Sequence, residues 1–166
     1  YKRQALQPLA SNDAEMLKSL HQEFMEKHIK PIMTPRGKDL IAKHRREGDH
    51  PVIITATNSF VTGPIAQAFG VHDLIATEPE IVDGEYTGKV KGIPCFQQGK
   101  IERLHAWLNE TKIEFNNSWF YSDSHNDLPL LEEVAHPIAV DPDDQLRAIA
   151  SERGWQITSF RSQHQG

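Results

Sequence analysis

Two carboxylates, Asp123 and Asp127, stand where an apolar strand hands over to a helix. The strand is the aromatic-rich run Ser118-Trp-Phe-Tyr121, and a helical pattern starts at about residue 127. Paired acids in that position can hold a hard cation at the carboxyl edge of a sheet, where open α/β folds keep their ligands. Two further polar positions have a comparable setting. Thr55 ends the apolar run Pro51-Val-Ile-Ile-Thr55, and Lys100 opens a helix after a glycine-containing loop. In a parallel sheet, strand ends and helix starts share one rim. A hydroxyl, an ammonium and two carboxylates can converge there.

That set of groups suits phosphate chemistry, which needs the charge on the phosphoryl oxygens neutralised. The hydroxyl and backbone N–H groups of Thr55-Ala56-Thr57 can bind phosphate oxygens, and Lys100 supplies a point charge. Asp123 and Asp127 offer oxygen ligands for Mg²⁺, which keeps several waters and takes few protein ligands. Opposite charges about 4 Å apart attract by roughly 4 kcal/mol at an effective dielectric near 20, so such a rim could hold a phosphate strongly. Each residue alone has a plainer reading. An Asp-x-x-x-Asp pair is usually two solvated carboxylates at a helix start. A lone Thr at a strand end is usually structural, and a lone Lys at a helix start usually faces solvent. Their order in one α/β run is what points to a site. A calcium-binding EF-hand is excluded: His125 falls at a ligand position, Leu128 replaces the required glycine, and Val134 stands in place of the bidentate glutamate.

The elements that must position these residues follow from periodicity. Asn12-Asp-Ala-Glu15 resembles a capping box ahead of a helix over 12–29, with Leu17, Leu20, Phe24 and His28 at helical spacing. Pro31 and Pro35 break it. A second helix covers 36–47 with Leu40 and Ile41 inward and Gly48 as the stop. Residues 51–55 form a buried parallel strand, 60–69 a helix ending at Gly70, and 74–77 a short strand. Asp83-Gly84 between β-formers signals a hairpin. A helix over 99–110 puts Ile101, Leu104, His105 and Leu108 on one face. A strand over 118–122, a helix over about 127–135, a strand over 137–140, a helix over 146–153 and a strand over 155–158 complete the chain. Alternation from residue 51 onward implies an α/β fold, a Rossmann-like parallel sheet flanked by helices. The helical opening, 1–35, reads as part of a helical cap subdomain, and 36–166 as the α/β core.

Composition agrees with a globular domain. The chain has 166 residues, 38% hydrophobic and 25% charged, with a net charge of −5. The negative balance, and the lack of basic runs interleaved with aromatics, argue against nucleic-acid binding. His44-Arg-Arg46 reads as the basic end of a helix. No apolar run approaches bilayer-spanning length, so no membrane partner is expected. The single cysteine, Cys95, permits no internal disulfide and fits a reducing cytoplasm.

The motifs together resemble those of the haloacid dehalogenase-like (HAD) phosphohydrolases. Asp123-Ser-His-Asn-Asp127-Leu-Pro129 looks like their fourth motif, Val52-Ile-Ile-Thr55-Ala-Thr their second, and Gly99-Lys100 their third. Thr77-Glu-Pro-Glu, Tyr86-Thr-Gly88 and the run from Cys95 to Lys100 resemble the phosphoserine-phosphatase-like branch, which includes members named histidinol-phosphatase. The resemblance covers most of residues 20–158. It implies a Mg²⁺-dependent phosphatase acting on a small phosphomonoester through an aspartyl-phosphate. Thr55 and Lys100 would then be catalytic. Phosphate would be bound by Thr55, Ala56, Thr57, Asn58 and Lys100, and the metal by Asp123 and Asp127. In this family cap residues usually set the substrate; His21, Glu23, Lys27 and Arg36 are the candidates.

One family motif is absent. No hydrophobic strand followed by Asp-x-Asp-x-Thr occurs in the sequence, and the one Asp-x-Asp, Asp141-Pro-Asp143, reads as a loop and helix cap. In the family that strand is central, between the strands of Thr55 and Asp123. A sheet without it leaves buried backbone groups unpaired at roughly 1–3 kcal/mol each. The expectation is therefore that the nucleophile lies in a segment preceding these residues, and that this chain alone has no turnover. The rival reading is a catalytically inactive phosphate-binding or regulatory module of the same fold.

Overall fold

The computed structural model describes residues 6–161. Contacts group them into two compact units, one ending at Lys100 and the other starting at Ile101.

The first unit opens with a short helix the periodicity did not predict, α1 (Gln7–Ala10), started by Pro8. Helix α2 (Ala14–Phe24) follows. Its cap is Asp13 and not Asn12: the Asp13 carboxylate accepts from Met16 N at 2.8 Å, while Asn12 Nδ2 donates back to Pro8 O at 2.7 Å. The expected helix over 12–29 does not stay α throughout. Met25–Ile29 is a π turn and Lys30–Ile32 a 3₁₀ turn. Pro31 has no N–H to return to the preceding turn, so the bonding pattern shifts there. Helix α3 (Pro35–Arg46) is capped by Thr34, which accepts from Gly37 N, and ends on four basic residues that suit the negative helix terminus.

Strand β1 (Val52–Asn58) runs three residues past the expected end and leads into α4 (Ser59–Ala68). Strand β2 (Asp73–Thr77) lies parallel to β1, with Val52 opposite Asp73 and Ile54 opposite Ile75; a bulge interrupts the register between Ile54 and Asn58. The hairpin forms as expected from β3 (Pro79–Val82) and β4 (Glu85–Val90). Asp83 and Gly84 both have positive φ, 51° and 84°, as a type I′ turn demands. Leu6, Leu9 and Leu17 form a buried cluster, with Phe60, Tyr86 and Val90 packed against it.

The second unit is a parallel three-stranded sheet, β5 (Trp119–Ser122), β6 (His136–Val140) and β7 (Gln156–Thr158), in the order β5-β6-β7. Helix α5 (Gln98–Thr111) precedes β5. Helix α6 (Leu128–Glu133), reached through a 3₁₀ turn at His125–Asp127, and helix α7 (Asp144–Arg153) make the crossovers. Leu131, Ala139, Leu146 and Ala150 are fully buried between sheet and helices, against Phe120 and Trp155. Gly154, at φ 69°, closes α7 and lets Trp155 N return to Ala150 O. On α5 the inward face is Ile101 and Leu104. His105 is exposed, contrary to its expected place, and its Nε2 lies 2.9 Å from Glu133 Oε2.

The architecture is α/β with parallel sheets flanked by helices, as the alternation implies.

Candidate active site

In the first unit, residues 55–58 form the end of β1, directly before α4. Asn58 is buried, and its side chain caps α4 by accepting from Val61 N at 3.1 Å. Thr55 Oγ1 accepts from Thr57 N at 3.2 Å, within the stretch of β1 where the register with β2 shifts. The carbonyl of Ala56 accepts from Thr77 Oγ1 at 2.9 Å, so the ends of β1 and β2 are tied side by side. Thr77 Oγ1 in turn accepts from Cys95 N at 3.0 Å, and Ser59 Oγ donates to Glu78 Oε2 at 2.6 Å. This end of β1 is therefore braced from the neighbouring strand while Thr57 remains exposed. N–H groups at a helix start are suited to an anion.

Lys100 sits in the first turn of α5 and is only 7% exposed. A buried ammonium is costly unless it is paired, so its retention needs a compensating charge or polar partner. Its predecessor Gly99 has no room for a side chain: a Cβ there would lie 2.1 Å from the carbonyl oxygen of Pro94. The close approach of the Pro94 backbone explains why glycine precedes the lysine.

In the second unit, Asp123 follows β5 directly and is exposed. Its carbonyl accepts from Asp143 N at 2.8 Å. Asp127 is half-buried, and Ser122 Oγ donates to its Oδ2 at 2.7 Å. The Ser122 hydroxyl also accepts from Ser124 N at 3.2 Å, so one buried serine shapes the loop and orients its second carboxylate. Asp143 links this loop to α7. It caps the helix by accepting from Leu146 N, and its other oxygen accepts from His125 N at 2.8 Å, with His125 Nδ1 at 2.9 Å. Partial burial pushes the Asp143 carboxyl up, but the Leu146 and His125 N–H groups and the His125 ring outweigh it and bring it down to about 2. The reading of Asp143 as a helix cap is borne out.

An open cleft of 460 Å³ lies at the carboxyl edge of this sheet, lined among others by Asp123, Ser124, Asp141, Arg147 and Arg161. It is the position where parallel sheets keep ligands. Arg147 and Arg161 were not singled out from sequence, since an arginine on a helix or past a terminal strand carries no spacing signal.

Two carboxylates on one short loop, one oriented by a buried hydroxyl and one open to the cleft, fit a hard divalent cation that keeps most of its waters. Asp123 and Asp127 are the residues that would hold it. A different trio, His44, Glu47 and Asp49, brings ligand atoms within 4.8 Å of one another at the end of α3. There His44 Nδ1 lies 2.5 Å from Asp49 Oδ2 and Lys43 pairs with Glu47, so the three groups already have protein partners.

The four candidates for substrate contact differ in setting. Glu23 and Lys27 pair with each other on the surface of α2 and the following turn, and the Lys27 ammonium lowers the Glu23 carboxyl. Arg36 is exposed on α3. His21 is half-buried, with Nε2 3.0 Å from Val61 O.

Comparison with known proteins settles the family. The model of the haloacid dehalogenase-like hydrolases matches residues 2–132. The chain is 41% identical over 160 residues to a histidinol-phosphatase of Neisseria meningitidis serogroup C (strain 8013), covering 94% of this chain and 72% of that protein. It is 46% identical to a protein of unknown function from Bordetella pertussis Tohama I, whose crystal structure superposes with a TM-score of 0.91 over 94% of this chain and 71% of that one. A probable phosphoserine phosphatase from Vibrio cholerae shares the fold at 18% identity, with a TM-score of 0.67, 86% of this chain and 42% of that one. Other curated relatives are spanned to 51–53% of their length. The chain belongs to the haloacid dehalogenase-like hydrolase family. The expected resemblance to its phosphatases, in the phosphoserine- and histidinol-phosphatase branch, is borne out by these matches.

Proposed function

We propose that the full-length protein is a Mg²⁺-dependent phosphatase of a small metabolite phosphomonoester, of the histidinol phosphate or phosphoserine kind. The observation that carries this reading is Lys100, an ammonium held 7% exposed at the head of α5 behind a glycine with no space for a side chain. An ammonium held in place at a helix start is a preorganised point charge suited to neutralising an anion.

Thr55 and the N–H groups of residues 56–58 bind the phosphate oxygens, and Lys100 neutralises them. Asp123 and Asp127 would hold Mg²⁺, which when bound would offset negative charge on the phosphate. A carboxylate attacks phosphorus, forming an acyl-phosphate bond as the ester P–O bond breaks. A second acid gives its proton to the leaving alkoxide and then takes one from the water that hydrolyses the intermediate. Those two acids belong to the Asp-x-Asp-x-Thr strand, which we place in a segment outside these 166 residues. Two observations support a further strand. Strand β1 pairs on one side only among the described residues, and its apolar Val52, Ile53 and Ile54 stay half-buried, although parallel strands are normally covered. Strand β5 pairs only with β6 among the described residues, leaving Trp119 41% exposed. Residues 1–35 belong to the cap of this enzyme and 36–166 to its core.

The test is phosphate release by the full-length protein across a panel of phosphomonoesters, with and without Mg²⁺. Mg²⁺-dependent turnover supports the reading. Phosphate binding without turnover points instead to an inactive phosphate-binding module, and release by these 166 residues alone would refute the external nucleophile.

A further inference from the structure

The first unit holds an imidazole between two phenyl rings at the start of α4. His21, on α2, meets Phe60 edge to face, with ring centres 5.2 Å apart and planes at 84°. It meets Phe24 at 6.1 Å and 78°. Phe24 lies 5.8 Å from His28, and Phe60 meets Tyr86 at 5.9 Å. The contact of His21 with the protein backbone fixes its ring. A carbonyl oxygen can only accept, so Nε2, 3.0 Å from Val61 O, carries a proton and donates it. In the neutral ring Nδ1 is then an acceptor.

The position matters as much as the chemistry. Phe60 and Val61 lie in the first turn of α4, directly after residues 55–58. The wall is also fixed at one end and open at the other. Phe60 and Tyr86 pack on the buried Leu6, Leu9 and Leu17, whereas Phe24 is 36% exposed and His28 is exposed. An edge-to-face ring cluster with an open end can take one more flat ring. A planar nitrogen ring can both pack there and donate an N–H to an acceptor such as Nδ1. An amino-acid head can make only the second contact.

We propose that His21, Phe24 and Phe60 form the wall against which the leaving group of the substrate lies. It favours phosphomonoesters whose alcohol part carries a flat nitrogen ring, such as imidazole, over those carrying only an amino-acid head. This rests on the phosphatase reading and goes past it by choosing between its two substrate classes. If the rings did no more than dock α2 on α4, their loss would affect all substrates alike.

The experiment measures kcat/KM of the full-length protein for histidinol phosphate and phosphoserine, in the parent, Phe24→Ala and His21→Phe. The parent prefers the ring substrate. Losing one aromatic contact lowers the ring-over-phosphoserine ratio by about three- to tenfold, through KM. His21→Phe keeps a ring but removes Nδ1 and the Val61 bond, and lowers the same ratio. If it fails to fold, Phe24→Ala still decides, since that side chain is partly exposed. Equal losses on both substrates, or a parent that prefers phosphoserine, overturn the wall while leaving a phosphatase. Absence of any phosphomonoester turnover removes the phosphatase reading and the wall with it.

Discussion

Ser159 Oγ donates to Asp141 Oδ1 at 2.5 Å, and Phe160 N donates to its other oxygen at 3.0 Å. One carboxylate just past β6 thus secures the chain leaving β7, beside the backbone bond from Asp141 N to Thr158 O. The Ser159 hydroxyl, the Phe160 N–H and the nearby Arg161 hold the Asp141 carboxyl below its ordinary value. A lowered folded-state pKa means stability that is present above the ordinary carboxylate range and lost as pH falls toward the folded value. Stability of the parent against urea should therefore weaken over the acid window that opens below about pH 4. Asp141→Asn should be less stable at pH 7 and flatter across that window. Asparagine is the apt replacement because Asp141 has φ 44°, which asparagine tolerates. An unchanged acid limb in the variant would remove Asp141 from the account.

Gly99→Ala tests the close approach before Lys100. The new Cβ would meet the Pro94 carbonyl oxygen at 2.1 Å, backbone against backbone, so neither side can yield by a rotamer change. Overpacking of this kind costs about 3 kcal/mol. The expected outcome is a clear fall in the thermal midpoint, and a larger proportional fall in turnover because the shifted turn carries Lys100. A fully active, fully stable variant would show that the turn tolerates a side chain.

How much of this was legible in the sequence varies by element. The Asp83-Gly84 turn was, because a type I′ turn needs two residues that accept positive φ and this pair does. Strand β6 was, because Pro137-Ile-Ala-Val140 is a continuous apolar run, and it is buried from Ile138 to Val140. The end of α2 was not: helical spacing persists through His28, but Pro31 withdraws a donor and the backbone turns to π bonding first. His105 kept the period of an inward residue and still faced outward, since a period cannot weigh a nearby carboxylate such as Glu133. Thr55, Lys100, Asp123 and Asp127 were singled out in the sequence by their places at strand ends and helix starts. Ser122 was not, because a serine inside a strand is marked as a carboxylate anchor only by a contact five residues away.

Ser122→Ala follows from that contact. It removes the buried hydroxyl that orients Asp127 and leaves Ser124 N without its acceptor. Groups that orient metal ligands typically change affinity by about 10–100-fold. Mg²⁺ titration of the protein, followed by calorimetry, should show binding weaker by at least about tenfold. Ser122→Thr, which keeps the hydroxyl, should recover most of it. If alanine and threonine bind Mg²⁺ equally, the hydroxyl does not serve the metal.

Lys100→Met separates chemistry from stability most directly. Lys100 is 7% exposed, so its charge is carried inside the first unit at a desolvation cost. Methionine fills a similar volume without that cost, although it leaves any partner of the ammonium uncompensated. These opposing effects should keep the change in thermal midpoint small. Activity has no such offset. A preorganised group that meets charge on the transferring phosphoryl is worth roughly 10²–10³ in kcat, and methionine supplies none of it. Full-length Lys100→Met should therefore fold, show near-parental thermal unfolding and lose at least about a hundredfold in phosphate release at saturating Mg²⁺. Near-parental turnover would take Lys100 out of the site. Loss of folding together with turnover would instead make the ammonium a structural ion, and the weight of the phosphate-binding assignment would pass to Thr55 and residues 56–58.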